Sequence, residues 1–168
     1  MKFDTKNRIA LFGTSADPPT IGHKKIIEEL SNIYSSVITY ASDNPKIIFN
    51  QKISSQWAIE SIEECKKIYP FSKIDLVIGS DLITEIFSWK NFDKIIHTVK
   101  LLIIKREGYP IKSKTINKLK TNKVLFEISS LNIPNISSSM VRLNNNYSDL
   151  PKSLIDIVKK NNLYESMR

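Results

Sequence analysis

The 168-residue sequence has a single cysteine, four glycines and no long run of apolar residues. One cysteine excludes a disulfide framework within the chain and a cysteine-based zinc site, and it fits a reducing compartment. The low glycine content excludes collagen-like and low-complexity chains. The segment before Gly13 lacks the apolar stretch that a signal peptide or a membrane anchor needs, so we expect a cytoplasmic protein that does not bind membranes.

Arginine is also scarce, and the net charge of +8 comes almost entirely from lysine. A strongly basic chain usually indicates a polyanionic partner such as nucleic acid. Here, however, no run of five basic residues occurs, and the lysines alternate with Glu and Asp along the predicted helices. We therefore expect no nucleic-acid binding.

Short apolar runs alternate with amphipathic segments along the chain, and the length fits one domain over residues 1–168,. The pattern predicts strands over 8–13, 37–41, 74–79, 100–105 and 124–128, and helices over 22–34, 56–69, 138–144 and 152–161. The Lys-rich segment 112–123 is either a solvated connection or a surface helix. Buried runs that alternate with helices predict an α/β fold with a doubly wound parallel sheet, and ligands bind at the carboxyl ends of such strands.

Two predicted helices carry an apolar stripe at helical spacing. Cys65 lies on the stripe of Ala58, Ile62 and Tyr69, which predicts a buried, structural thiol. Ile26, Leu30 and Ile33 form the corresponding stripe of the first helix.

The segment from Gly13 to His23 joins the first strand to the first helix and has the sequence GTSADPPTIGH. Unpaired amides and the positive end of the helix dipole make such a junction an anion site. Gly13 and Gly22 let phosphate oxygens approach the main chain, and the His23 imidazole can donate a hydrogen bond to one of them. Alternatively, His23 is a helix-start residue satisfied by backbone or solvent.

Thr20-Ile21-Gly22-His23 resembles the (H/T)xGH signature of the nucleotidyltransferase superfamily. Further segments follow in the order of that superfamily: SDNPK at 42–46, GSD at 79–81, Trp89, KREGY at 105–109 and ISSSMVR at 136–142. Together they resemble the bacterial nicotinate-nucleotide adenylyltransferases, particularly the cyanobacterial type with the GTSADPPT loop. The resemblance implies a Rossmann-like nucleotidyltransferase fold.

The resemblance also implies an activity: ATP and nicotinate mononucleotide are joined to nicotinate adenine dinucleotide and pyrophosphate. No protein nucleophile is needed, because the mononucleotide phosphate attacks ATP directly. Mg²⁺ is expected to be held mainly by the ATP phosphates, without a dedicated protein metal site.

The family pattern assigns roles to individual residues of this sequence. The catalytic residues implied are His23, Thr20, Arg142 and Lys46. The ATP-binding residues implied are Gly13, Thr14, Ser15, Thr20, His23, Gly79, Asp81, Arg106, Ile136, Ser137, Ser138 and Arg142. The mononucleotide-binding residues implied are Ser15, Asn44, Lys46 and Trp89.

Five of these side chains could instead have a purely structural role. Asp81 could cap a helix that begins near Leu82 rather than bind a ribose. Arg106 and Arg142 could lie exposed on the surface, Lys46 could be an ordinary loop lysine, and Trp89 could be a core residue.

The sequence departs from the family pattern in two places. Ala58 stands where the family commonly has Thr near the nicotinate carboxylate, so a hydroxyl donor is missing. In addition, a helix of the family is absent after Pro45, where 47–53 reads directly as a strand. This is either a natural deletion or a segment omitted from the sequence.

Two other functions remain open at this point. One is a related transferase that uses nicotinamide mononucleotide or pantetheine phosphate. The other is a basic nucleotide- or RNA-binding protein without catalysis. The sequence does not determine the oligomeric state.

Overall fold

A computed structural model describes residues 7–41, 57–144 and 147–164. The predicted turn with Asn44 and Lys46 and the predicted strand 47–53 lie outside these ranges. The strands of the described ranges are β1 (Arg8–Thr14), β2 (Ser36–Ala41), β3 (Lys73–Gly79), β4 (Lys100–Arg106) and β5 (Phe126–Ile133). The helices are α1 (Ile21–Ser31), α2 (Ala58–Ile68), α3 (Phe92–Thr98), α4 (Ser113–Thr121), α5 (Ser138–Asn144) and α6 (Lys152–Lys160).

The five strands form one sheet in the order β2-β1-β3-β4-β5, and every neighbouring pair is parallel. The chain starts near the middle of the sheet and returns to both sides of it, which confirms the predicted doubly wound sheet. The carboxyl ends of β1, β3 and β4 therefore lie side by side at one edge.

Both faces of the sheet are buried, because successive strand residues point to opposite sides. In β1, Leu11 belongs to a cluster with α2, α3 and α4, whereas Phe12 belongs to a cluster with α1. The same alternation places Leu101 and Leu102 of β4 on opposite faces. Cys65 is fully buried in the first cluster, and burial raises its pKa to about 11, which confirms a structural thiol.

A smaller hydrophobic cluster lies apart from the two sheet faces and is formed by the C-terminal segment. Its buried members are Val141, Leu150, Val158 and Tyr164. The cluster packs α5 and α6 together, with a 3-10 helix over Tyr147–Asp149 between them.

Several element boundaries differ from the sequence predictions. Helix α1 ends at Ser31, because the chain turns at Asn32, and Ile33 is consequently 50% exposed rather than buried on the predicted stripe. Strand β5 starts and ends later than predicted, and α3 was missed. The Lys-rich segment is the surface helix α4, anchored by buried Thr115 and Leu119.

The alternative role for Asp81 is wrong. The residues after Asp81 form turns and then a 3-10 helix over Ile86–Ser88, so no helix begins at Leu82 for Asp81 to cap. The Asp81 carboxylate instead pairs with Arg106. None of the helices in the described ranges has the length and apolarity to cross a membrane.

Candidate active site

Two adjoining cavities open at the carboxyl ends of the strands. The first, which we call the His23 cavity, has a volume of about 440 Å³. It is lined by Phe12, Gly13, Thr14, Ser15, Thr20, Gly22, His23, Ile26, Gly79, Asp81, Leu82, Arg106, Tyr109, Ile133, Ile136, Ser137, Ser138 and Ser139. Eleven of the twelve predicted ATP-binding residues therefore meet in one place.

The second cavity, which we call the Trp89 cavity, has a volume of about 420 Å³. It is lined by Gly13, Thr14, Ser15, Tyr40, Trp57, Ala58, Leu82, Ser88, Trp89 and Lys90. The two cavities share Gly13, Thr14, Ser15 and Leu82, so the loop after β1 stands between them.

The His23 side chain is fixed by the residue that caps α1. The Thr20 amide donates a hydrogen bond to His23 Nδ1 at 3.0 Å, and Thr20 Oγ1 lies 2.8 Å from the same nitrogen. Because Nδ1 accepts a hydrogen bond, the proton of the neutral ring is carried by Nε2. The ring is thus prepared to donate through Nε2.

Burial and, to a smaller extent, the positive charge of Arg106 together lower the pKa of His23 to about 4. The imidazole is therefore neutral at pH 7. A neutral ring with Nε2–H is a hydrogen-bond donor that brings no formal charge to the site.

The turn at the end of β3 presents a carboxylate to the same cavity. Asp81 Oδ2 pairs with the Arg106 guanidinium, while Asp81 Oδ1 is buried and has no hydrogen-bond partner among the described residues. A side chain at Gly79 would overlap Asp81 Oδ1, so any other residue there would displace the carboxylate from this position. The buried oxygen is an acceptor that a ligand hydroxyl can satisfy.

Arg106 is oriented by several contacts rather than exposed. Its Nη2 donates to the carbonyl oxygen of Ile136 at 2.9 Å, and its guanidinium carbon lies 5.6 Å from the centre of the Tyr109 ring. Buried Ser80 joins the turn to β4, since its Oγ accepts from the Arg106 amide at 3.0 Å and donates to the Tyr109 carbonyl at 2.8 Å. Sequence reasoning missed Tyr109, although it stands in the segment KREGY.

Arg142 does not line either cavity in the described part of the chain. Its guanidinium donates to the backbone carbonyl of Asp17 and to Ser139 Oγ, the latter at 3.3 Å. Arg142, on α5, thus contacts the loop that joins β1 to α1. A guanidinium has five N–H donors, so these two hydrogen bonds leave donors for a phosphate group.

The Trp89 cavity combines aromatic walls with a cation. Trp89 is partly buried and packs on the larger core cluster, so it has both a core contact and a cavity face. Lys90 Nζ lies 5.1 Å from the centre of the Trp57 ring and 3.3 Å from Glu60 Oε1. Sequence reasoning missed Lys90, although it directly follows Trp89 in the sequence. It also missed Trp57 and Tyr40, which only the fold brings beside Trp89.

A third cavity, of about 330 Å³, lies on the α1 side of the sheet, beside the first residues of β1 and β4. It contains fully buried Asp75, which accepts from Tyr34 Oη at 2.7 Å and Arg8 Nε at 3.1 Å, with Lys100 Nζ at 3.6 Å. These groups satisfy one another, so the ion-pair network is structural.

The described residues include no group of three or more His, Cys, Asp or Glu side chains that could hold a metal ion. The expectation that ATP supplies the metal ligands remains a prediction.

Comparison with known proteins identifies relatives along nearly the whole chain. A family model described as cytidylyltransferase-like matches residues 11–144. The sequence is 26% identical to a probable nicotinate-nucleotide adenylyltransferase of Synechocystis sp., with 94% of this chain and 98% of the relative covered. It is 28% identical to the corresponding protein of Campylobacter jejuni, with 96% and 98% covered.

The alignment with the Synechocystis relative extends over 197 positions, more than the 168 residues of this chain. The relative therefore has residues that this chain lacks.

The fold resembles that of Plasmodium falciparum nicotinic acid mononucleotide adenylyltransferase. The structure of that protein complexed with APC has a TM-score of 0.74 at 22% identity, with 95% of this chain and 98% of that chain covered. Its complex with NaAD gives 0.73 at 21% identity, with the same coverage. At these identities the likeness establishes the Rossmann-like nucleotidyltransferase fold.

Proposed function

The chain belongs to the cytidylyltransferase-like family, and from that membership we propose that it is a nicotinate-nucleotide adenylyltransferase. It joins ATP to nicotinate mononucleotide and releases pyrophosphate. The observation that carries the proposal is the position of the segment that runs from the end of β1 toward His23. Its residues Gly13, Thr14 and Ser15 line both the His23 cavity, which is polar, and the Trp89 cavity, which is aromatic. The curated relatives named above have the same designation.

In the proposed reaction, an oxygen of the mononucleotide phosphate forms a bond to the α-phosphorus of ATP. The bond from that phosphorus to the bridging oxygen of the β-phosphate breaks, and pyrophosphate leaves with the electron pair. The attacking phosphate is already an anion, so no general base is required. Catalysis then rests on alignment and on stabilising charge at the α-phosphoryl oxygens.

His23 fits that role by its tautomer and its place. Nε2–H donates to a non-bridging α-phosphoryl oxygen, while the Thr20 amide holds Nδ1. The hydrogen bond strengthens as charge grows on the oxygen. Thr20 acts on His23 rather than only on the phosphates, because its hydroxyl contacts the same ring nitrogen.

The nucleoside of ATP lies toward the β3 and β4 ends of the His23 cavity. Asp81 Oδ1, which lacks a partner among the described residues, accepts from a ribose hydroxyl,. Arg106 holds the other carboxylate oxygen and thereby fixes the direction of Asp81. Ser137 and Ser138 lie across the cavity, beside the triphosphate.

The mononucleotide lies in the Trp89 cavity. Its pyridinium ring stacks on Trp89, since a flat aromatic cation is attracted to an indole face. Lys90 is the cation among the described lining residues, and its ammonium compensates for the hydroxyl missing at Ala58 by binding the nicotinate carboxylate. The Lys90–Glu60 pair is about half exposed, so exchanging Glu60 for a ligand carboxylate costs little,.

Mg²⁺ enters this scheme with ATP, since a hard cation of this size is bound largely through phosphate oxygens and water. Bound to ATP, it would neutralise phosphate charge, while the residues named above align the substrates. Asn44 and Lys46 retain their predicted roles on the mononucleotide side, as does Arg142 toward the β- and γ-phosphates.

We place the protein in the cytoplasm and assign it no nucleic-acid or membrane partner.

The test is pyrophosphate release from Mg-ATP with nicotinate mononucleotide, nicotinamide mononucleotide and phosphopantetheine as parallel acceptors. Release with nicotinate mononucleotide at least tenfold above the other acceptors supports the proposal. Preference for either other acceptor assigns the chain to a related transferase instead. No release with any acceptor, combined with salt-sensitive RNA binding, identifies a non-catalytic binding protein.

A further inference from the structure

Three side chains from the C-terminal segment converge on two consecutive residues of the loop between β1 and α1. Tyr164 Oη donates to the Asp17 carboxylate, and Arg142 donates to the Asp17 carbonyl oxygen. Ser138 Oγ donates to the Pro18 carbonyl oxygen at 2.8 Å. We call these three contacts the C-terminal clamp.

Tyr164 is held firmly enough to act on its partner. The residue is 3% exposed and belongs to the C-terminal hydrophobic cluster, together with Val158. A buried phenol needs a hydrogen-bond acceptor, and Asp17, 147 residues away in sequence, supplies it,. Burial raises the pKa of Tyr164, and the hydrogen bond to Asp17 raises it further, so the phenol remains the donor.

In the loop between β1 and α1, Asp17 lies between the residues that separate the two cavities and the residue that orients His23. On one side, Thr14 and Ser15 make the wall between the cavities; on the other, Thr20 orients His23. Because the loop is short, a shift of Asp17 moves both parts.

The loop also requires outside support. Ala16 is buried and has a φ of 39°, a left-handed conformation that costs free energy for a residue with a Cβ,. Such a conformation persists only when surrounding contacts determine it. The clamp attaches to the residue directly after Ala16.

We propose that Tyr164 is a positioning residue for ATP, which acts through Asp17 to hold the loop between β1 and α1 in its binding conformation. This inference rests on the proposed function in one respect, that the His23 cavity is where ATP binds. The proposal predicts that removing the Tyr164 hydroxyl oxygen, which contacts Asp17, weakens the binding of ATP.

The experiment measures binding of Mg-α,β-methylene-ATP by calorimetry, which needs no turnover. The variants are Tyr164→Phe, Asp17→Ala, the double variant, and Val158→Ala as a control that loosens the same cluster without touching Asp17. Tyr164→Phe is expected to weaken binding about tenfold, the scale of a hydrogen bond to a charged group. The double variant is expected to bind no more weakly than Asp17→Ala alone.

The control separates positioning from folding. Val158→Ala is expected to lower the melting temperature at least as much as Tyr164→Phe, yet to change the affinity for the analogue less than twofold. Equal losses of affinity in these two variants, unchanged affinity in Tyr164→Phe, or additive losses in the double variant would overturn the proposal.

Turnover assays separate this proposal from the proposed function. In Tyr164→Phe, the KM for ATP is expected to rise more than the KM for nicotinate mononucleotide, because Thr20 and His23 line only the His23 cavity, whereas Thr14 and Ser15 line both cavities. If the wild-type protein binds the analogue but releases no pyrophosphate with any acceptor, the proposed function fails and the calorimetric cycle still decides the role of Tyr164.

Discussion

The Thr20 amide donates to His23 Nδ1 across 3.0 Å, so the capping residue of α1 also sets the tautomer of the imidazole. A helix N-cap usually satisfies backbone amides with its side chain. Here the side chain of the third helical residue reaches back to the backbone of the cap. The same hydrogen bond that stabilises the start of the helix leaves Nε2 as the protonated nitrogen of a ring that lines the His23 cavity.

Replacing His23 with Ala is expected to lower kcat by about 100-fold or more, because a donor to the developing phosphoryl charge is lost. The affinity for the ATP analogue is expected to fall much less, since the hydrogen bond gains strength in the transition state. Single-turnover kinetics and calorimetry measure the two quantities. A variant with wild-type kcat would refute the role given to His23.

His23 also predicts how folding stability depends on pH. Its pKa is about 4 in the folded protein and 6.5 when unperturbed, so between these values the unfolded chain binds the proton first. The free energy of unfolding therefore falls as the pH drops below 6.5 and is unaffected by this group above it.

At pH 5 this contribution is a loss of about 2 kcal/mol relative to pH 7.5. Urea denaturation gives the free energy of unfolding of wild type and His23→Ala at both pH values. The contribution of His23 is the amount by which the wild type loses more stability than the variant between pH 7.5 and pH 5. Identical losses in both proteins would show that the imidazole is not buried as described.

Gly13 and Gly22 provide a matched pair of substitutions. A Cβ at Gly13 would overlap the ring of buried Tyr40, whereas at Gly22 it would meet its nearest neighbours at 3.4 Å, an ordinary contact. Gly13→Ala is expected to destabilise the protein by about 1–3 kcal/mol through overpacking. Gly22→Ala is expected to be neutral or slightly stabilising, because Ala favours the helix. Thermal unfolding distinguishes them, and equal melting temperatures would contradict the description of the strand end.

Lys90 is expected to favour an acceptor with a carboxylate. Lys90→Met should lower the ratio of kcat/KM for nicotinate over nicotinamide mononucleotide about fivefold, the value of roughly 1 kcal/mol for a partly solvated charge contact. Lys94→Met is the control, since Lys94 pairs with Glu63 in the same way but lines neither cavity. If both variants keep the wild-type ratio, the carboxylate is recognised elsewhere.

Local patterns allowed the sheet to be predicted, and the family resemblance named most of the residues that line the His23 cavity. The strands β1, β3 and β4 are buried on both faces, so each reads as a continuous apolar run such as Leu101–Ile104,. The loop from Gly13 to His23 contains its own strand end, cap and imidazole, and all of them lie within eleven residues. The strands and this loop depend on residues that are neighbours in the sequence, so they can be predicted before the fold is known.

Other parts depend on distant partners and could not be predicted in this way. The stripe on α1 suggested that Ile33 is buried, but the chain turns there and brings Tyr34 to Asp75, 41 residues away. The contact of Tyr164 with Asp17 leaves no local pattern either. Helix α3 is only seven residues long, and its buried Ile95 and Ile96 are too few to show a period.

The C-terminal clamp also has a consequence for synthesis, because its residues are among the last to be added to the chain. The described residues that line the Trp89 cavity all precede residue 91, so they leave the ribosome before those of the clamp. The His23 cavity needs Ser137, Ser138 and Ser139, and its loop is fixed only when Tyr164 arrives. A nascent chain therefore contains all the described residues of the Trp89 cavity before those of the His23 cavity, and the proposed nucleotide pocket is completed among the last steps of translation.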